Sequence, residues 1–200
     1  MTALDTYVAF DTETTGFGPE ARILEIGLVV FELGVLVHTW SQLLLPEGVD
    51  WENPKVQKAL EVNHITRADL AGKPTFSEVM LDVLHEFSFD LWVAHNAEFD
   101  VQMLSQEFAR AGRKFEPPPL TLCTMQLAGY RTNAKGNKLA DVAARYGVPQ
   151  DGAHRAVVDA TVCGSIFREM IRKDDLPPTL HGLKELSARA AKSWKTRSRW

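Results

Sequence analysis

Apolar and polar positions along the chain fall into blocks that switch between two periods. Thr6–Asp11 is an apolar run, TYVAF, that stops on a carboxylate, as a short strand buried on both faces would. Gly16, Gly18 and Pro19 then mark a turn. Ile23–Phe31 and Gly34–Leu45, rich in Ile, Leu and Val, predict the two arms of an antiparallel hairpin around Glu32-Leu33. Three strands in succession therefore open the chain as a meander. Pro46–Thr75 is polar and irregular, with a short helix near Pro54–Glu61. Phe76, Val79, Met80, Val83, Leu84 and Phe87 recur at helical spacing and predict an amphipathic helix over 76–87.

Leu91–Ala94 reads as a short strand, and Glu98–Ala111 as a helix that Gly112 stops. Pro117-Pro118-Pro119 is a connector no helix can cross, and Leu120–Cys123 a brief edge strand. Helices follow at Lys138–Tyr146, closed by Gly147, and at Ala153–Arg172. Pro177-Pro178 divides a domain, 1–176, from a C-terminal tail, 177–200. No internal repeat is present. Strands first, then strands alternating with helices, predict an α/β chain with a mixed sheet flanked by helices.

Composition narrows the class. At 200 residues, 45% apolar and 24% charged, the chain suits one globular domain. No basic-apolar signal pattern opens it, and no apolar run approaches the ~18 residues of a membrane span. Cys123 and Cys163 are too few for a disulfide scaffold or a tetrahedral zinc site, so a reducing, cytoplasmic setting is expected. The net charge is −4, but it is unevenly spread. Residues 179–200 hold six bases (Lys184, Arg189, Lys192, Lys195, Arg197, Arg199) and one acid, Glu185. That leaves 16 basic and 25 acidic residues in 1–178, a balance of −9. An acidic body with a basic end fits a protein that gathers carboxylates around cations, and it fits equally a solvated domain with a solvated tail.

Three short constellations carry candidate chemistry. In Asp11-Thr12-Glu13-Thr14-Thr15-Gly16, an extended backbone puts the i and i+2 carboxylates on one face. Two such groups repel unless a cation lies between them, and hard divalent ions prefer oxygen ligands. In His95-Asn96-Ala97-Glu98-Phe99-Asp100, a strand ends and a helix begins, with Asn96 as its expected cap and Asp100 in its first turn. In His154-Arg155-Ala156-Val157-Val158-Asp159, the His and Asp lie five apart, so they do not stack as an i,i+4 pair on a helix. A His154 held instead in a loop before the helix could move to a water near Asp159 and take its proton. Each motif alone also fits a structural role: an incidental acidic turn, a helix cap, a helix N-terminus.

In this order, D-x-E, H-N-x-x-F-D and H-x-A-x-x-D resemble the DEDD exonuclease superfamily in its His-containing branch. That branch includes the proofreading subunit of bacterial replicative polymerases, RNase T and oligoribonuclease, and the first of these groups is the most similar. The resemblance covers roughly residues 5–172 and extends to Ile23-Leu24-Glu25-Ile26-Gly27, Asn63-His64-Ile65-Thr66, Lys73-Pro74-Thr75-Phe76 and Cys123-Thr124. It implies an RNase H-like fold, a mixed five-stranded sheet with the site at one edge. It implies a 3′–5′ exonuclease releasing nucleoside 5′-monophosphates from single-stranded 3′ ends, DNA first, with RNA ends or a non-catalytic binding module as alternatives. By the same resemblance Asp11 bridges two Mg²⁺ ions, which Mn²⁺ can replace. Glu13 and Asp159 complete the first set, Asp100 holds the second ion through water, and His154 is the general base. Substrate contacts fall to Thr14, Thr15, Gly16, Phe17, Val62, Asn63, Ile65, Asn96 and Phe99. The expected partners are nucleic-acid 3′ ends and a DNA polymerase or other replication or repair protein, with no membrane. The tail from Leu183 is expected either to touch nucleic acid or to dock on the polymerase through Leu183, Leu186 and Ala190.

Overall fold

The computed structural model describes residues 4–132, 136–150, 152 and 154–197. Ala153, Arg199 and Trp200, which belong to the loop and tail readings, lie outside them, and of Arg197 only the backbone lies within. Five strands form one mixed sheet in the order β3-β2-β1-β4-β5. β1 (Thr6–Thr14), β2 (Ile23–Glu32) and β3 (Val35–Leu43) make the expected antiparallel meander. β4 (Leu91–Ala94) joins β1 in parallel, and β5 (Leu120–Cys123) joins β4 the same way.

The helices are α1 (Pro54–Asn63), α2 (Arg67–Leu70), α3 (Phe76–Glu86), α4 (Ala97–Arg110), α5 (Thr124–Thr132), α6 (Leu139–Tyr146), α7 (Ala156–Lys173) and α8 (Leu180–Arg197). Among these, α2 and α5 have no counterpart in the hydrophobic pattern. None of the helices in the described residues is long and apolar enough to cross a membrane. The segment read as a tail is mostly α8, and its Leu183, Leu186 and Ala190 are buried in the same cluster as Leu127 and Ala128 of α5.

β1 explains the layering. Its alternate residues face opposite ways: Tyr7 and Ala9 join the core under α5, α6 and α7, whereas Val8 and Phe10 join the core under α3 and α4. A central strand needs apolar residues at every position, which is the TYVAF run. Two glycines let α7 press onto this sheet. A Cβ on Gly27 would fall 2.1 Å from the Val157 backbone nitrogen, and one on Gly164 would fall 2.4 Å from the Phe31 ring. α7 therefore lies against β1 and β2 with its N-terminus over Gly27.

Two expectations need correction. The strand does not stop at Asp11: β1 runs to Thr14, pairing Asp11 with Gly27 and Glu13 with Glu25. Hydrogen bonding to β2 outlasts the apolar run that marked the strand in the sequence. The candidate site is also not at an edge of the sheet, because β1 is its middle strand.

Candidate metal centre and its surroundings

The odd-numbered face of β1 that buries Tyr7 and Ala9 continues into Asp11 and Glu13, and so points them toward the start of α7. Asp159 stands in the first turn of that helix. Carboxylate oxygens of Asp11, Glu13 and Asp159 all lie within 4.8 Å of one another. Asp159 Oδ2 accepts the His154 backbone N–H at 3.1 Å, while its Oδ1 is buried with no hydrogen-bond partner.

Asp100 reaches the same strand from the α4 side. Its Oδ1 accepts from Thr12 N at 3.0 Å and from Thr12 Oγ at 2.7 Å. Asp100 stands outside the three-carboxylate group, yet close enough for its charge to act on Asp11 and Glu13.

The charges are uncompensated. Among the described residues, no ion pair reaches Asp11, Glu13, Asp100 or Asp159. Burial raises the Asp11 carboxyl well above the usual range, and Asp100, Glu13 and Asp159 add repulsion. Burial, then Asp159, pushes Glu13 up to about 8. Burial also raises Asp100 to about 7, against the two Thr12 hydrogen bonds that pull it down. Asp159 is raised by burial, with the His154 N–H opposing. A buried all-oxygen set with one orphaned oxygen fits a hard divalent cation, which would reverse each of these penalties.

His154 is exposed and precedes α7, which begins at Ala156 and not at Ala153. Its backbone is left-handed, φ 68°, and its ring lies 6.0 Å from that of His64. The i,i+5 spacing on one helix thus does not arise; His154 sits on the loop, held to Asp159 by its own N–H.

The candidate substrate residues separate into two groups. Phe17 is 88% exposed, and its ring lies 5.3 Å from that of the half-buried Phe99, tilted by 55°. Val62 and Asn96 are exposed and Gly16 is partly so, with φ 137°. Thr14, Thr15 and Asn63 are buried, and Asn63 Nδ2 donates to the Thr14 carbonyl at 2.9 Å. Ile65 is a correction. At 3% exposure it packs with Leu24 and Leu70, so its side chain belongs to the core beneath α1 and α2 and cannot meet a base. Asn96 is another: its side chain makes no cap hydrogen bond. At φ 67° its backbone has left the extended region from which an N-cap side chain reaches back.

Several residues escaped the sequence reading. Glu25, fully buried on β2, accepts from Arg155 Nε at 3.1 Å and Nη2 at 3.0 Å, from Ala156 N at 3.2 Å and from Ser41 Oγ at 2.9 Å. Glu107 on α4 is likewise buried and forked by Arg22, at 2.7 and 3.0 Å. The signal was present in both cases: a lone acid inside an apolar strand, and a lone acid on the apolar stripe of a helix. His95 is structural. It bridges Thr124 Oγ1 and the Asn137 carbonyl, both at 2.9 Å, and burial lowers it to about 4, keeping the ring neutral.

Comparison with known proteins gives one consistent family. A family model described as Exonuclease (RNase_T) matches residues 8–167. A DNA polymerase III subunit epsilon of Treponema pallidum is 35% identical over 172 residues, covering 82% of this chain and 76% of that protein. A PolC-type DNA polymerase III of Clostridium perfringens is 32% identical over 92% of this chain, which spans only 12% of that longer protein. Among solved structures, exonuclease X in complex with 5′ overhanging duplex DNA superposes with a TM-score of 0.69 at 24% identity, covering 92% of this chain and 98% of that one. The nuclease domain of 3′hExo, a DEDDh family member bound to rAMP, gives 0.70 at 18% identity, covering 84% and 92%. These two likenesses establish the RNase H-like fold.

Proposed function

The chain belongs to the Exonuclease (RNase_T) family, and from that premise we propose that it removes nucleoside 5′-monophosphates one at a time from single-stranded DNA 3′ ends. The observation that carries this reading is the Asp11–Glu13–Asp159 group at the end of the central strand, with Glu13 and Asp159 buried, Asp11 half-buried and no ion pair to any of the three among the described residues. Asp11, Glu13 and Asp159 would hold one Mg²⁺ or Mn²⁺ ion, and Asp100 would help hold a second. Such a pair supplies charge stabilisation to the attacking and leaving oxygens of an in-line displacement.

The chain's own residues do the rest. The wall from Thr14 to Gly16, held by Asn63, receives the terminal nucleotide. The neighbouring rings of Phe17 and Phe99 meet the last bases by stacking on them, which tolerates any sequence. His154, exposed on its loop and tethered to Asp159, takes the proton from the attacking water. DNA is favoured because the Treponema pallidum relative is named as a DNA polymerase III subunit, and the same name supports a replicative polymerase as protein partner.

One assay tests the set. Matched DNA and RNA oligonucleotides are offered with free or blocked 3′ ends, with EDTA, Mg²⁺ or Mn²⁺. Stepwise 5′-monophosphate release from free DNA 3′ ends, lost in EDTA, is expected. Faster trimming of RNA would move the substrate to RNA. Full activity in EDTA, or cutting of circular single strands, would overturn the reading. In the same assay His154→Ala should lower turnover by ~10²–10⁴-fold while metal binding stays intact.

A further inference from the structure

α8 has two faces, and the fold uses only one of them. Leu183, Leu186 and Ala190 are 0%, 4% and 1% exposed and pack into the core with α5. The apolar stripe that could have served a protein partner is thus covered by the chain itself. At 100° per residue, Lys184, Arg189, Lys192 and Lys195 fall on the remaining arc, and all four are exposed. No ion pair involves them among the described residues, and the one acid of this arc, Glu185, lies 3.5 Å from His181. Outside residues 179–200 the chain carries −9, so this arc stands out against an acidic body.

Placement gives the arc a direction. β1, β4 and β5 run parallel, so their C-terminal ends share one end of the sheet, where Asp11 and Glu13 stand. The second half of α8 reaches that end: the Trp194 ring lies against α5, 3.2 Å from where a Gly129 Cβ would be. A groove of about 400 Å³ then runs between α8 and the first turn of α4. Its lining includes Ala97 and Glu98 of α4, Cys123 of β5, Gln126 of α5, and Ser187 and Lys195 of α8. Glu98 shares the first turn of α4 with Asp100 but is exposed where Asp100 is buried, so the groove lies at the same end of the sheet as the candidate centre, on the outer side of α4.

We propose that this groove and the basic face of α8 form the track for the phosphate backbone of the strand whose 3′ end occupies the carboxylate site. The inference rests on the exonuclease reading and extends it to the nucleotides upstream of the reacting one. Phosphates spaced along a strand suit cations spaced along a helix face, and their contribution is counterion release, which salt weakens. Lys195 borders the groove itself, and Lys192, one turn earlier, borders with Arg189 a second hollow against Tyr130.

The test compares the wild-type chain with a Lys192→Glu/Lys195→Glu double variant on a 15-nucleotide DNA strand and on a dinucleotide, across a salt series. The 15-mer KM should rise several-fold more than the dinucleotide KM. The log–log slope of kcat/KM against salt for the 15-mer should flatten by about 0.7 for each phosphate that the variant no longer neutralises. Lys192→Ala/Lys195→Ala should show the same trend, smaller, which guards against a folding defect from charge reversal. An unchanged salt slope, or equal losses on both substrates, overturns the track. So does loss of binding to a polymerase subunit with unchanged kinetics, which would make the face a protein-docking surface. If the wild-type chain degrades neither substrate, the exonuclease reading fails instead, and salt-dependent anisotropy of the labelled 15-mer still decides the role of α8.

Discussion

Two sets of buried carboxylates sit within one small region and are treated in opposite ways. Glu25 and Glu107 are 0% and 1% exposed, and each is met by an arginine fork and a backbone N–H. Glu13 and Asp159 are buried almost as deeply, at 7% and 8%, with Asp11 beside them and no ion pair to any of the three among the described residues. The first set shows that this fold can neutralise a buried acid when the acid has a structural task. Glu25 pins the start of α7 to β2, and Glu107 ties α4 to the turn before β2. The second set has no ion pair among the described residues, which is the arrangement a bound cation would stabilise. The forks flank the centre and hold its two helical walls in place.

The comparison breaks most visibly at Asp11. Asp11→Asn should lower the rate at saturating Mg²⁺ by more than the ~10–100-fold typical of an outer-shell ligand. In EDTA the same variant should melt at a higher temperature than wild type, because one buried repulsive charge is gone. Normal hydrolysis, or a lower melting temperature in EDTA, would remove Asp11 from the cation-seeking set. At the forks the stability effect has the opposite sign. Arg155→Ala leaves Glu25 buried without its guanidinium and should cost about 3–5 kcal/mol in urea unfolding. Arg22→Ala should cost less, since Arg110 remains 3.1 Å from Glu107. A loss below about 1 kcal/mol at Arg155, the range of an exposed pair, would make Glu25 no different from a surface acid.

The smallest effect is a pH dependence. Glu13 has its folded value raised from 4.5 to about 8. Its contribution to stability is therefore complete below pH 4.5 and is lost as pH rises through about 8. Metal-free protein should lose several degrees of melting temperature between about pH 5 and 8. Mg²⁺ or Mn²⁺ should restore them at the upper end, because a bound cation favours the ionised form. A flat metal-free profile would mean that Glu13 is not repelled in the fold.

The sheet was legible because β1 and β2 are apolar at nearly every position, and burial on both faces leaves no other pattern open to them. The candidate site residues were legible because Asp11, Glu13, Asp100, His154 and Asp159 stand in short motifs at strand ends and helix starts, where chain direction alone constrains where they point. Ile65 misled because an apolar residue beside a motif carries no mark of which way it faces; α1 and α2 turn it into the core. Asn96 misled because capping depends on a φ angle that residue type does not specify.

The sequence by itself determined the meander, the parallel strands that follow and which acids stand at strand ends and helix starts, since these depend on local period and order. Only the tertiary structure decided which acids receive an arginine. Glu25 and Arg155 are 130 positions apart and Glu107 and Arg22 are 85 apart, and no local pattern encodes such pairings. The same holds for α8: its amphipathic spacing is written in the chain, but whether the apolar stripe turns inward or toward a partner depends on α5, and the fold turned it inward.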